Sequence, residues 1–218
     1  PMAEETGLVL PLDRWVLLNA CQAAVAWQDD PREIAISVNL SAAYLDHPDL
    51  VETVAGVLET TQLNPGRLVL EITESALLRD LSAAAPRLGE LRRMGVRIAI
   101  DDFGTGYCSL AYLSHLQVDI LKIDKSFVDR VTVDRQDAAV TEAIITMGRS
   151  LNLQTIAEGV EYDAQADWLR EAGCTTGQGY VWSRPIDHET LTRFLRDGFP
   201  THVRVGTKSA EPAPYHIS

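Results

Sequence analysis

Five polar residues, Asn39, Glu71, Asp101, Lys122 and Glu158, stand at or near the C-terminal ends of short apolar runs that read as β-strands. In folds of alternating parallel strands and helices that edge carries ligands and chemistry, and in a barrel all such ends converge on one mouth. A single acid there can simply cap the next helix. Five such residues in succession point instead to a shared cluster. Carboxylates plus one amide oxygen, without thiolate or imidazole, form a hard-oxygen set suited to Mg2+, Mn2+ or Ca2+. Asp101 and Asp102 are adjacent, and two neighbouring acids repel unless cations lie between or beside them; one carboxylate can then bridge two ions. Lys122, projecting into the same mouth, is suited to hold a phosphate oxygen or to orient an attacking water. Together these are the parts for metal-assisted phosphodiester hydrolysis.

Other chemistries find less support. The five histidines show neither HxxxH nor HExxH spacing, and the three cysteines, Cys21, Cys108 and Cys174, are odd in number and far apart. Neither a zinc site nor a disulfide framework is implied, and a reducing compartment, the cytoplasm, fits best. Asp102-Phe-Gly-Thr-Gly-Tyr107 lacks the Lys-Ser/Thr ending of a nucleotide loop and the full GxGxxG spacing, so it reads as a mobile loop over the site. Cys108 has no base nearby in sequence. The 218 residues carry a net charge of −12, which argues against holding polynucleotides through many phosphates. No apolar stretch is long enough to span a bilayer and Pro1 to Glu5 lack signal-peptide features, so the reading includes no membrane contact.

The elements that must position these residues follow from periodicity. Leu12, Val16, Ala20, Ala23 and Trp27 mark one face of a helix over 11–28. Residues 34–40 alternate strictly as a strand whose second face is small and polar, and further strands are predicted at 67–72, 96–101, 119–123, 154–158 and 176–181. Helices are predicted near 47–60 and 82–94, on Val140, Ile144, Met147 and Leu151, over 163–172, and from an Asp187 cap to Leu195. Trp15, Trp27, Trp168, Leu191 and Phe194 are assigned to the core. Strands alternating with helices require right-handed crossovers and a mainly parallel sheet, hence a doubly wound sheet or a barrel.

Asn39-Leu-Ser-Ala42, Glu71-Ile-Thr-Glu-Ser75, Asp101-Asp-Phe-Gly-Thr-Gly-Tyr107, Leu121-Lys-Ile-Asp124, Ala157-Glu-Gly-Val-Glu161 and Gln178-Gly-Tyr180, in that order, closely resemble the EAL-domain family of cyclic di-GMP phosphodiesterases. The resemblance implies an α/β fold, a TIM-like (β/α)8 barrel of the EAL type, and hydrolysis of cyclic di-GMP to linear pGpG with Mg2+ or Mn2+ in a two-metal site. By motif it implies that Asn39, Glu71 and Asp101 are first-metal ligands. On the same resemblance Asp101 is expected to bridge to a second ion that Asp102 and Glu158 help to hold. Lys122 looks like the lysine that positions the water, and Glu158 is also a candidate base. Glu161 and Gln178 resemble residues near the substrate and metals, and Glu74 looks like the glutamate that anchors the loop from Phe103 to Ser109, a loop linked in the family to metal binding and dimerisation. Cys108 stands where serine is usual.

The Glu-Ala-Leu tripeptide itself is absent from these 218 residues. The reading is therefore an EAL-type domain over 1–199 that lacks its N-terminal strands, incomplete with about six of the eight strands, followed by a polar tail over 200–218 expected to be disordered. The expected function is that of the phosphodiesterase family, with this chain itself weakly active or inactive. The alternative is a degenerate module that binds cyclic di-GMP or a protein as a regulator. A homodimer through this domain and an upstream sensor or GGDEF-type domain are the expected partners.

Overall fold

The computed structural model describes residues 8–106, 116–198 and 216–217, and within them strands and helices alternate. They divide into two compact units. The first holds the described chain up to Ile100 with residues 116–119 and 216–217; the second holds 101–106 and 120–198.

In the first unit, strands β1 (Ala35–Asn39), β2 (Leu68–Thr73), the start of β3 (Arg97–Phe103) and β7 (His216–Ile217) lie in the order β3-β2-β1-β7. β1 and β2 are parallel, and their register ends with Asn39 opposite Glu71. β7 pairs with β1 through Ala35 and Ile36; the rest of the tail expected to be disordered lies outside the described residues. The alternation in residues 34–40 suggested one apolar and one polar face, yet Ala35 and Ser37 are buried along with Ile36 and Val38. A parallel strand is covered on both faces, which the small residues of β1 permit.

The first helix runs Val9–Ala24 and continues as a 3-10 turn, Val25–Trp27. Its buried residues are Leu17, Cys21 and Ala24, with Trp27 beyond them, whereas Leu12, Val16 and Trp15 are exposed, Trp15 at 61%. The expected core face and the core assignment of Trp15 are thus corrected. Val9, Leu10, Leu12, Val16, Leu17 and Leu18 put apolar residues on more than one side of the first turns, and periodicity alone cannot choose between stripes. Helices Leu50–Thr61 and Leu81–Arg93 follow the expected spans closely; the second is capped by Asp80, which accepts from the N–H of Ala83.

In the second unit the end of β3, then β4 (Ile120–Ile123), β5 (Gln154–Ala157) and β6 (Thr176–Gly177) lie in the order β3-β4-β5-β6. β4 and β5 pair in parallel from Ile120 opposite Gln154 to Ile123 opposite Ala157, and β5 pairs in parallel with β6. Helix Arg135–Ser150 starts at Asp134, whose carboxylate accepts from the N–H groups of Gln136 and Asp137, and buries Thr141, Ile144, Ile145 and Gly148. Its buried stripe is centred one residue beyond the one expected. Helix Asp163–Ala172 matches its expected span, closed by Gly173 at φ 96. Asp187 caps helix His188–Asp197, as read from sequence.

Two strand ends differ from expectation. β3 runs on to Phe103, so Asp101 and Asp102 lie inside it. β6, expected over six residues, has only Thr176 and Gly177, because the chain beyond turns back along Val160. The Val160 N–H donates to the Gln178 carbonyl at 3.0 Å, and the Val181 N–H donates to the Val160 carbonyl at 3.1 Å.

Candidate functional site

Within the second unit β3, β4 and β5 bring four sequence-predicted residues together. The Lys122 ammonium, on β4, lies 3.0 Å from Asp101 Oδ1 and 2.7 Å from Glu158 Oε1. Lys122 is 3% exposed, and a buried ammonium is tolerated when carboxylates neutralise it and accept its protons. Glu158 follows β5 directly, and its backbone N–H donates to the Ile123 carbonyl at 3.1 Å, which continues the β4–β5 ladder by one residue and aims the side chain.

Carboxylate oxygens of Asp101, Asp102 and Glu158 lie within 4.8 Å of one another. The Asp102 carboxyl is pushed above the ordinary range, first by burial and then by repulsion from Asp101 and Asp124, with Lys122 opposing. Asp102 also takes a left-handed backbone, φ 53, while its N–H donates to Asp101 Oδ1 at 3.1 Å. That conformation is uncommon outside glycine and costs energy, so the surrounding structure must impose it. These three hard-oxygen donors fit a divalent cation, which would relieve the repulsion that adds to burial in raising Asp102.

The first unit places Asn39, exposed, and Glu71, 3% exposed, side by side at the ends of β1 and β2, with the Leu40 N–H donating to the Glu71 carbonyl at 2.8 Å. Glu74 is buried in the first turn of helix Glu74–Arg79, which Thr73 caps. Of the loop that Glu74 was expected to anchor, residues 103–106 are described; Cys108 lies outside the described residues. Just beyond Asn39, the Ser41 hydroxyl donates to Asp13, a carboxyl raised by burial and partly restored by that bond. Sequence reading passed over Asp13, since nothing in its spacing pairs it with a serine 28 residues away.

Glu161 forms an ion pair with Lys125 at 2.5 Å, and the Gln178 N–H donates to the Ala157 carbonyl at 2.8 Å. Lys125 also escaped sequence reading, although it stands only three residues past Lys122, at the start of helix Lys125–Val128. Its stem crosses Gly159, at φ 66, where a β-carbon would lie 2.4 Å from Lys125 Cγ. The ammonium is held protonated beyond its usual range, first by the Glu161 hydrogen bond and then by the charges of Asp129, Glu161 and Tyr180.

The EAL domain model matches residues 1–185. The bifunctional diguanylate cyclase/cyclic di-GMP phosphodiesterase MucR of Pseudomonas aeruginosa is 45% identical over 192 residues, which are 88% of this chain and 28% of that protein. Cyclic di-GMP phosphodiesterase NbdA of the same organism is 41% identical over 196 residues, 89% of this chain and 25% of the relative. A solved structure of the PaMucR phosphodiesterase in complex with c-di-GMP superposes with a TM-score of 0.84 at 45% identity, covering 88% of this chain and 78% of that one. The chain spans about a quarter of the length of these curated relatives. Among the described residues the fold is α/β, with β1 to β6 in one sheet as part of a TIM-like barrel of the EAL type. With its strand-end motifs, its fold and the match over residues 1–185 in agreement, the chain belongs to the EAL domain family.

Proposed function

We propose that this chain carries the catalytic residues of a phosphodiesterase that hydrolyses cyclic di-GMP to linear pGpG, using Mg2+ or Mn2+. The observation that carries the proposal is the grip of Lys122 on Asp101 and Glu158 inside a three-carboxylate cluster. Names of the relatives as cyclic di-GMP phosphodiesterases support the choice of substrate. In this reading Asp101, Asp102 and Glu158 hold metal, and Asn39 and Glu71 are assigned ligand roles as well. A divalent ion bound there polarises phosphoryl oxygens and acidifies water. Glu158 takes the proton of the attacking water, and Lys122 fixes the orientation of both Glu158 and that water. The water oxygen forms the new bond to phosphorus, the bond from phosphorus to the 3′-oxygen breaks, and the departing oxygen takes up a proton. Glu161 and Gln178 are assigned to the substrate side and Glu74 to anchoring the loop.

The test measures conversion to pGpG by chromatography, on the chain alone and on the chain extended at its N-terminus by strands carrying Glu-Ala-Leu. Little or no turnover is expected of the first and clear turnover of the second. In the extended protein Glu158→Gln or Lys122→Ala should lower turnover by roughly 10²-fold or more. If the extended, folded and metal-loaded protein binds cyclic di-GMP and leaves it intact, the chain is a regulatory module.

A further inference from the structure

Lys125 is not used by the hydrolysis proposed above, yet it grips the segment that carries Glu158. β4, which carries Lys122, passes through Asp124 into helix Lys125–Val128, where the Asp124 carboxylate caps the turn by accepting from the Ser126 N–H at 3.0 Å. β5 passes into residues 158–161. These two outgoing segments are tied at successive levels, all within the second unit. Nearest the strands, the Glu158 N–H donates to the Ile123 carbonyl at 3.1 Å. Next, the Lys125 stem lies across Gly159, where a β-carbon would stand 2.8, 2.4 and 2.6 Å from its Cβ, Cγ and Cδ. Beyond that crossing the Lys125 ammonium reaches Glu161 at 2.5 Å. A buried amide completes the tie. Gln165, 2% exposed, accepts from the N–H groups of Glu161 and Tyr162 at 2.8 and 3.0 Å and donates to the carbonyls of Val128 and Asp129 at 3.2 and 3.3 Å. Both ends of that amide join the helix after Lys122 to the segment after Glu158.

The Lys125 side chain is half exposed, and an exposed ion pair contributes little to stability. Its consequence is geometric. Glu158 must meet the Lys122 ammonium, 2.7 Å away, and lie with Asp101 and Asp102 in one cluster. A group held to two partners at once tolerates little displacement, and about 1 Å can cost roughly 10²-fold in rate. We propose that Lys125 is a positioning residue: with Gln165 it clamps residues 158–161 to helix Lys125–Val128 and so holds the Glu158 carboxylate at Lys122 and at the metal cluster. The inference rests on the phosphodiesterase reading and adds to it a residue that acts through Glu158.

The test is a double-mutant cycle between Lys125 and Glu158, read as Mn2+ affinity by calorimetry on the 218-residue chain and as turnover of the N-terminally extended protein. Lys125→Ala should weaken Mn2+ binding by roughly 10-fold and lower kcat by roughly 10- to 100-fold, with KM within about 2-fold and the melting temperature unchanged. In the Glu158→Gln background the same substitution should change neither affinity nor kcat by more than about 2-fold, because the group it positions is already lost. Lys125→Arg, whose longer stem and charge still reach Glu161, should keep both quantities near those of the unmodified protein. Unchanged values in Lys125→Ala, a loss of equal size in the Glu158→Gln background, or a loss confined to KM overturns the inference and leaves the function standing. So does a Lys125→Arg variant as impaired as Lys125→Ala. Failure of the unmodified chain to bind Mn2+, or of the extended, metal-loaded protein to hydrolyse cyclic di-GMP, overturns the function and the inference with it.

Discussion

Lys122 is the residue on which the charge balance of the second unit turns. Its ammonium, almost wholly buried, is shared between Asp101 and Glu158, whose side chains are 13% and 18% exposed. Removing it leaves two carboxylates, with Asp102 beside them, facing one another in a poorly hydrated site. Loss of one partner from a buried charge network costs about 3–5 kcal/mol when burial is complete, and about 2–3 kcal/mol is the expectation for these partly hydrated acids. Lys122→Met should therefore lower the unfolding free energy by that amount, read as a lower denaturant midpoint at unchanged m-value. Mn2+ should raise it more in the variant than in the unmodified chain, because the ion then takes over neutralisation of the carboxylates. Equal stabilisation of both proteins by Mn2+ would show that the ion does not reach this cluster.

At the scale of elements, the short β6 and the returning segment after it depend on one close backbone approach. A β-carbon on Gly179 would lie 2.0 Å from the Val160 carbonyl oxygen and 2.4 Å from the Val160 nitrogen. Both atoms are main chain, so no rotamer change relieves the clash. Gly179→Ala should part the 178–181 segment from Val160 and cost about 1–3 kcal/mol, the range of overpacking substitutions. Hydrogen exchange should report the loss as faster exchange at Val160 and Val181 with the β4–β5 amides unchanged. Protection retained at Val181 would mean that the loop absorbs the methyl group elsewhere.

For the molecule as a whole, an acidic chain with buried thiols makes a simple experiment on cooperativity. Cys21 and Cys174 are both buried, and burial pushes the Cys21 thiol up to about 12. A thiol is reactive as the thiolate, so neither cysteine should react with a disulfide reagent near pH 8 while the chain is folded. Labelling of these two should instead track global unfolding in urea, one site in each unit. Loss of Cys174 protection at a lower urea concentration than Cys21 would show that the units open separately. Among the described residues no helix is long and apolar enough to cross a membrane.

The order of strands and helices, the placement of Asn39, Glu71, Lys122 and Glu158 at or near strand ends, and the Asp187 cap were legible in the residues themselves, whereas Asp101 lies inside a strand that runs on to Phe103. Periodicity, caps and turn glycines act between near neighbours, so a linear reading reaches them. The meeting of Lys122 with Asp101 and Glu158 was legible only as a tendency, because the strands that carry them come from three separate parts of the chain. A one-residue slip in register would turn each side chain to the opposite face. The pairing of Lys125 with Glu161, 36 residues apart, the buried stripe of helix Val9–Ala24 and the two-residue length of β6 were decided by the tertiary structure alone. Each depends on which surface packs against which, and on how closely one backbone passes another, and neither quantity is carried by the local pattern of the chain.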